Sequence, residues 1–433
     1  MRIIHIADIH LGQILYQNYD RVDEHDHFFA QLLNWCEEER PDALVVSGDV
    51  FDIQQPSAAT KKAFTDYFVQ IHARIPDMKI VITAGNHDSA SRLEADNAVW
   101  EYANARLVGL SPSIELLDSA DGWQEKYIIG LESGYIVALP YMNGERKDLI
   151  QSILDYVEKV NKKGKPVVMM GHTAVTGLDA EGHEVGNLRF QDVEQLGTGY
   201  DYLALGHIHK SQTLGHDKDM FLDDVTYPAG VIRYSGSALH VSCDEKYPHS
   251  VSVVDIDRHG GSVRIRRRVI DELRHFYELP LDGSSYQSFE DALADIRKFC
   301  AENEIGYIRL RVDYRTDLPA NFSQMVYDEL AGTNDEVRFN PKHIWTGQDE
   351  AEDKQQEKVT FQVAELQQMR DPVSFIEKTI DQYPDLDINE IKAAFDEVKT
   401  EMKLMIEEER NAAKAKADRK AAKTTATDNN EAN

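Results

Sequence analysis

The sequence has little cysteine. Three occur in 433 residues (Cys36, Cys243 and Cys300), far apart and with no Cys-x-x-Cys pair. That argues against a disulfide scaffold and against a thiolate zinc cage, and it fits a reducing cytosol. Long apolar runs are missing too, since none approaches the roughly 18–20 residues that cross a bilayer. Charge interrupts the opening stretch Met1–Asp8 too early for a signal peptide, so a cytoplasmic protein with no membrane association is expected. Positive charge is short as well. Lys and Arg number 47 against 76 Asp and Glu, a formal net charge of −29. Alone, this argues against independent tight binding to nucleic acid, because neutralising phosphates needs a basic face. A phosphate ligand would have to be met by local cations, by metal ions or by a second protein. What remains is an ordinary globular composition, 42% apolar and 28% charged. At roughly 100–200 residues per domain the length allows two or three domains.

The first 210 residues alternate short apolar runs with amphipathic stretches. The runs are Ile3–Ala7, Ala43–Ser47, Lys79–Thr83, Tyr135–Leu139, Val167–Met170 and Tyr202–Leu205. Most are continuously apolar, as in strands buried on both faces. Helical stripes fall between them at His25–Glu39, Ser57–Arg74 and Arg146–Lys162. This order predicts an α/β layered fold. From Val225 to Ile270 the pattern turns strand-rich (Ser250–Ile256, then Val263–Val269 after a His259-Gly260-Gly261 turn), closing a first domain over 1–270. Residues 271–345 read as a small α+β unit with a helix at Phe289–Asn303 and strands at Tyr307–Tyr314 and Val337–Pro341. An acidic linker is expected over 346–370 and a helical segment over 371–410. There Ile391, Phe395, Val398, Met402 and Met405 form a two-helix seam, with Val373, Ile376 and Ile380 offering a second. The aromatic-free tail 411–433 is expected to be disordered.

The chemistry lies in the short turns just past the apolar runs. Asp8-Ile9-His10 comes after the first, Gly48-Asp49 after the second and Gly85-Asn86-His87-Asp88 after the third; Gly171-His172 and Gly206-His207-Ile208-His209 come after two more. Loops at the carboxyl ends of strands form the ligand crevice of open α/β sheets. These side chains would therefore converge on one edge of one sheet. Each piece alone has a bland account as a turn or capped loop. Even His207-x-His209, whose strand spacing would put both imidazoles on one side, is only moderate evidence for metal. Five such clusters, each directly after a buried strand, are hard to explain that way. A donor set of imidazole, carboxylate and amide without thiolate suits Mn²⁺, Fe²⁺ or Zn²⁺. Seven side chains are too many for one ion and suffice for two if a carboxylate bridges. Two ions about 3.5–4 Å apart clamp the attacking and leaving oxygens of a phosphoryl displacement.

The order Asp-x-His, Gly-Asp, Gly-Asn-His-Asp, Gly-His, Gly-His-x-His resembles the signature of the calcineurin-like metallophosphoesterases over about residues 1–240. The opening Arg2–Gly12, Ser47-Gly48-Asp49-Val50-Phe51-Asp52 and Tyr234-Ser235-Gly236-Ser237 resemble the branch of bacterial SbcD-type nuclease subunits. Phosphatases of the family carry an Arg shortly after the Gly-Asp pair, where this chain has Phe51, Asp52 and Ile53. Archaeal and eukaryotic relatives have a His where this chain has Asp52, so the resemblance is to the bacterial type. It implies a β-sandwich flanked by helices, with a small α+β capping domain and C-terminal helices. It implies a first metal held by Asp8, His10 and His209, a second held by Asn86, His172 and His207, and Asp49 bridging both. His87 would be the catalytic histidine outside the ligand set, with Asp88 orienting it.

The resemblance also implies two divalent cations, with Mn²⁺ expected, and ATP-dependent 3′→5′ exonuclease action on double-stranded DNA. It adds endonuclease action on single strands and hairpins, in recombination, repair and replication. The implied partners are DNA and the SbcC ATPase, on whose coiled-coil root the helices of 371–410 would dock, in a heterotetramer whose nuclease subunits pair through helices at about 57–102. The expected location is the bacterial cytoplasm, with nucleoid-associated activity. No residue is singled out as a DNA contact. Arg258, Arg264, Arg266, Arg267 and Arg268 could face a backbone, but a solvated strand balancing acidic neighbours is the favoured account. Ser235-Gly236-Ser237 could present amides to phosphate or be a plain turn. Two other readings stay open: a small-molecule phosphodiesterase or phosphatase of the same family, and a non-catalytic scaffold.

Overall fold

The strands near the site are apolar on both sides, and this decides the architecture. In strand Ala43–Ser47, Ala43 and Val45 enter one apolar layer while Leu44 and Val46 enter another. Such a strand needs cover on both faces. A computed structural model of the chain describes residues 1–347 apart from 17, 114–115, 118–121, 143, 145, 178–189, 217–221, 303–304 and 335. Met1–Gly347 forms one compact unit.

Two mixed sheets pack face to face. The first runs, edge to edge, Asp224–Pro228, Ser262–Val269, Ser250–Ile256, Arg2–Ile6, Ala43–Ser47, Lys79–Thr83 and Ala105–Val108. Its last four strands are parallel, with Ile3 opposite Ala43 and Ala43 opposite Lys79. The second runs Gln212–Thr213, Val231–Tyr234, Tyr202–Gly206, Val167–His172, Tyr135–Ala138 and Ile128–Gly130, with the four central strands parallel. Ile3, Ala43, Val45 and Val81 of one sheet share a core with Val168, Met170 and Leu203 of the other. Helices Val22–Glu39 and Ala58–Arg74 cover the outer face of the first sheet with Phe28, Leu32, Phe64 and Phe68, and Phe29 stacks on Tyr67 at 4.0 Å. Ser57 caps the second of these helices, its Oγ accepting the Thr60 N–H at 3.1 Å. Helix Lys147–Val160 covers the second sheet with Ile150, Ile153, Leu154 and Val157.

The α/β reading and most of the elements agree with the sequence, and the expectation of a single sheet does not. Parallel strands with helices between them read alike whether they share one sheet or two. A third, three-stranded parallel sheet (Phe276–Leu279, Gly306–Asp313, Val337–Thr346) carries helices Phe289–Glu302 and Phe322–Thr333, the latter not foreseen. It has its own apolar core around Ile296, Ile308, Leu310, Val326 and Phe339. It is tied to the start of helix Val22–Glu39 by Tyr307, which donates to Glu24 at 2.6 Å, and by ion pairs Arg338–Glu24 and Arg274–Asp23. The linker expected over 346–370 lies outside the described residues except for its first two; segment 371–410 and tail 411–433 lie wholly outside them.

The arginine strand has a plain explanation. Arg264 pairs with Asp224, Arg266 with Glu39 and Asp255, Arg267 with Asp223, and Arg268 with Glu39. These cations balance carboxylates of their own surface, in agreement with the favoured account. The helical layer is the part of the fold that a single truncation tests directly. Phe28 is fully buried. Replacing it by Ala should cost about 3–5 kcal/mol, read as a lower urea midpoint with unchanged slope.

Candidate metal centre

All five clusters sit at the same end of the sandwich, but they come from both sheets. Asp8, Asp49 and Asn86-His87-Asp88 lie just past strands of the first sheet; His172 ends a strand of the second and His207 lies just past another. Glycine lets the two rims mesh. A Cβ on Gly206 would stand 2.0 Å from the Ser47 carbonyl oxygen, and one on Gly48 would stand 2.2 Å from His172 Nδ1. Only hydrogen fits at these approaches. Four of the candidate ligands have left-handed backbones, with φ of 50° at Asp8, 50° at His10, 46° at Asp49 and 96° at His207. Such conformations cost on the order of 1–3 kcal/mol each and persist where neighbours over-determine them. Here the Asp8 N–H donates to the Gly48 carbonyl at 3.1 Å and the His10 N–H to the Asp49 carbonyl at 3.1 Å.

The expected ligands fall into two groups, and His10 also lies with Asp52 and His87 in a third cluster of donor atoms. Asp8, His10 and His209 offer donor atoms within 4.8 Å of one another, as do Asp49, His172 and His207. Asn86 belongs with the second group, because its Oδ1 lies 3.0 Å from His172 Nε2 and 2.9 Å from His207 Nδ1. Asp49 lies between the groups, with Oδ2 3.2 Å from His172 Nε2 and 4.0 Å from His10 Nε2. Its Oδ1 accepts the His87 amide at 2.8 Å. His207 and His209 thus enter different groups. Their strand ends at Gly206 and the backbone turns at His207, so the strand-spacing argument that paired them does not apply.

Electrostatics here is that of a crowded, buried cluster. Burial would raise the Asp49 carboxyl, but the imidazoles of His172, His10 and His87 hold it well below the usual carboxylate range. Burial pushes Asp8 up to about 6, against the pull of His172 and with added repulsion from Asp49. Burial disfavours the charged His172 imidazole, yet Asp49 and Asp8 carry it up to about 9. Burial and His10 lower His209 to about 3.

His87 is exposed at the rim, with Nδ1 donating to the Asp52 carbonyl at 2.8 Å. The expectation that Asp88 orients it is corrected. Both Asp88 oxygens are taken by backbone amides, Oδ2 by Gly85 at 2.8 Å and Val50 at 3.1 Å and Oδ1 by Phe51 at 2.9 Å. Asp88 therefore clamps the loop bearing Asp49 to the loop bearing Asn86. Ser235-Gly236-Ser237 is a loop segment tied to the rim: the Ser237 N–H donates to the His209 carbonyl at 3.0 Å and the Ala238 N–H to the Asp8 carbonyl at 3.4 Å. Two partners escaped the sequence reading. Asp52 Oδ1 lies 3.3 Å from His10 Nδ1, and Glu245 Oε1 accepts from His209 Nδ1 at 3.0 Å. Glu245 lies 36 residues beyond His209 in a loop without a motif, so nothing in the sequence marked it.

The donors fit divalent cations. They are imidazoles, carboxylates and one amide oxygen, and Nε2 of buried His10 makes no hydrogen bond, its Nδ1 facing Asp52. A buried polar atom without a partner is costly unless something else engages it. The charged His172 has a measurable consequence. Its folded value of about 9 stands above the ordinary 6.5, so it contributes stability that is fully present below pH 6.5 and lost as pH rises through about 9. Chelator-treated protein should show a falling Tm across that window, and protein reloaded with cations a markedly smaller fall. The same pH profile in both states would show that no cation replaces that charge.

Residues 1–211 match the family described as Calcineurin-like phosphoesterase. The chain is similar to the SbcD subunit of the nuclease SbcCD from Rhodobacter capsulatus, 27% identical over 354 residues that cover 72% of this chain and 81% of that one. It is 28% identical to the corresponding SbcCD nuclease subunit of Escherichia coli K12 over 277 residues, 58% of this chain and 65% of that one. For the Bacillus subtilis counterpart, 28% identity extends over 278 residues, 59% of this chain and 66% of that one. The matched residues 1–211 hold every side chain of the two donor groups, so the likeness to the calcineurin-like phosphoesterase family takes in the whole rim site.

Proposed function

We propose that this chain is a metal-dependent nuclease that hydrolyses DNA phosphodiesters as the nuclease subunit of an SbcCD-type complex. The observation that carries the reading is the pair of donor groups about one carboxylate, Asp49, with a histidine at their rim. Asp8, His10 and His209 would hold one cation and Asn86, His172 and His207 the other, with Asp49 within reach of both. Mn²⁺ suits this thiolate-free mixture of imidazole, carboxylate and amide. When bound, such a pair supplies Lewis acidity and an activated water. The chain's own part is positional. Asp88 and the loop glycines fix the ligand loops. Glu245 holds His209 with its Nδ1 protonated, leaving Nε2 for a cation. His87 has Nδ1 committed to the Asp52 carbonyl, so Nε2 is the atom left to give a proton to the departing sugar oxygen.

The substrate and partner readings rest on the relatives' names and on charge. A chain of net charge −29 whose arginine strand is already paired is a poor lone grip for a duplex. A partner ATPase, SbcC, supplies that surface and gates access with ATP, docking on segment 371–410. The reaction is 3′→5′ removal from double-stranded ends, with endonucleolytic cuts at single strands and hairpins, in bacterial recombination, repair and replication at the nucleoid. Residues 271–345 act as the cap. The nuclease subunits pair through about 57–102, where Val69, Val99 and Tyr102 stand exposed, Tyr102 at 92%. No helix among the described residues is long and apolar enough to cross a membrane.

The deciding assay is Mn²⁺-dependent degradation of an end-labelled duplex, with and without SbcC and ATP, using Asp49→Asn as the inactive control. His87→Ala should keep two equivalents of Mn²⁺ while cleavage falls about 10²–10⁴-fold, the usual contribution of a positioned acid. Loss of both equivalents would refute its place outside the ligand set. Truncation after Gln368 should leave a metal-dependent nuclease that no longer co-purifies with SbcC, and retained co-purification would overturn the docking segment.

A further inference from the structure

A second cluster of ligating side chains lies behind the first donor group. His240 and His249 sit on the loop before strand Ser250–Ile256, and Glu272 comes shortly after strand Ser262–Val269. One nitrogen of each imidazole and one oxygen of the carboxylate lie within 4.8 Å of one another. His249 is 1% exposed. Its Nδ1 lies 3.0 Å from the Ser237 carbonyl oxygen, which can only accept, so Nδ1 carries the proton and Nε2 the lone pair. That buried Nε2 makes no hydrogen bond, although Glu245 Oε2 is 3.3 Å away. A proton or a cation can fill the place between these two atoms. His240 stands against it, ring centroids 4.2 Å apart, with Nδ1 3.2 Å from Glu272 Oε1. Burial pushes both imidazoles below the usual histidine range, which keeps them in the neutral form that ligates metal. A cavity of about 550 Å³ lined by His240, Glu245, Glu272 and His275 gives an ion a way in.

We propose that His240, His249 and Glu272 form a third divalent-cation site, separate from the two donor groups at the sheet rims. Two imidazoles and one carboxylate suit a borderline transition metal, Zn²⁺ above all. Glu245 is placed to be a fourth donor. It reaches His209 with Oε1 and the His249 side with Oε2, so one carboxylate faces both sites. A bare ion pair between His240 and Glu272 does not account for His249 Nε2, which lies 3.3 Å from Glu245 with no hydrogen bond, nor for the cavity beside His240.

Zn²⁺ bound per full-length chain, counted by plasma mass spectrometry after dialysis against a weak chelator, tests this. Wild type should hold three equivalents, and Glu272→Gln and His240→Gln should each hold one fewer. The double variant Asp8→Asn/Asp49→Asn, which cripples the rim groups, should keep one equivalent, and adding Glu272→Gln should remove it. That arm separates failure of this site from failure of the rim reading. Thermal melts showing a cooperative transition confirm that each counted variant is folded. Equal Zn²⁺ counts in wild type and both single variants would overturn the site, as would a double variant holding none.

Discussion

Asp49 is the constraint on which the rest of the structure depends. Its carboxylate is nearly buried, meets His172 at 3.2 Å, accepts the amide of His87 at 2.8 Å and lies against Gly85, where a Cβ would come within 2.1 Å of Oδ1. To put one anion there, loops from two sheets must close on it. That requires glycines at Gly48, Gly85 and Gly206 and left-handed backbone at four polar residues. It also requires a neighbouring carboxylate, Asp88, spent entirely on backbone amides. Burying so much like charge is unfavourable unless cations or protons compensate. The raised imidazole of His172 is the protonic form of that compensation. Divalent ions are the form for which the donor atoms are arranged.

The sequence disclosed the site better than the frame that holds it. Buried strands such as Ala43–Ser47 and Lys79–Thr83 show as unbroken apolar runs, so their ends, and the polar groups just past them, could be read directly. The partition of those strands into two sheets could not, because a run that is apolar on both faces does not say what lies on each. Asp88 was misread for a related reason. Next to His87 in sequence, it looks like a partner, while its partners are amides of residues 50, 51 and 85. Glu245 was invisible because a single carboxylate in a loop has no periodicity to betray it, and Asp52, read as the mark of a family branch, gave no sign that it faces His10. Helix Phe322–Thr333 escaped notice beside the more strongly patterned Phe289–Glu302.

The acidic character of the chain obeys the same logic. Its most basic strand is neutralised by Glu39, Asp223, Asp224 and Asp255, so the arginines hold helix Val22–Glu39 and an edge strand onto the sheet. On the nuclease reading proposed above, positive charge for a phosphate would come from the cations and from a partner's surface, which reconciles that reading with a net charge of −29.

Because each donor group takes side chains from both sheets, the apolar layer between the sheets does more than exclude water. Val45 and Ala43 on one side and Val168 and Met170 on the other set how far apart the two rims stand. Sliding one sheet over its neighbour by a fraction of an ångström would stretch or crowd the gap across which Asp49 reaches. Side-chain volume in the middle of the sandwich is therefore the gauge that sets how widely each donor group is spread. A change of one methylene there, well away from any ligand, would be felt as a change in the span of both groups.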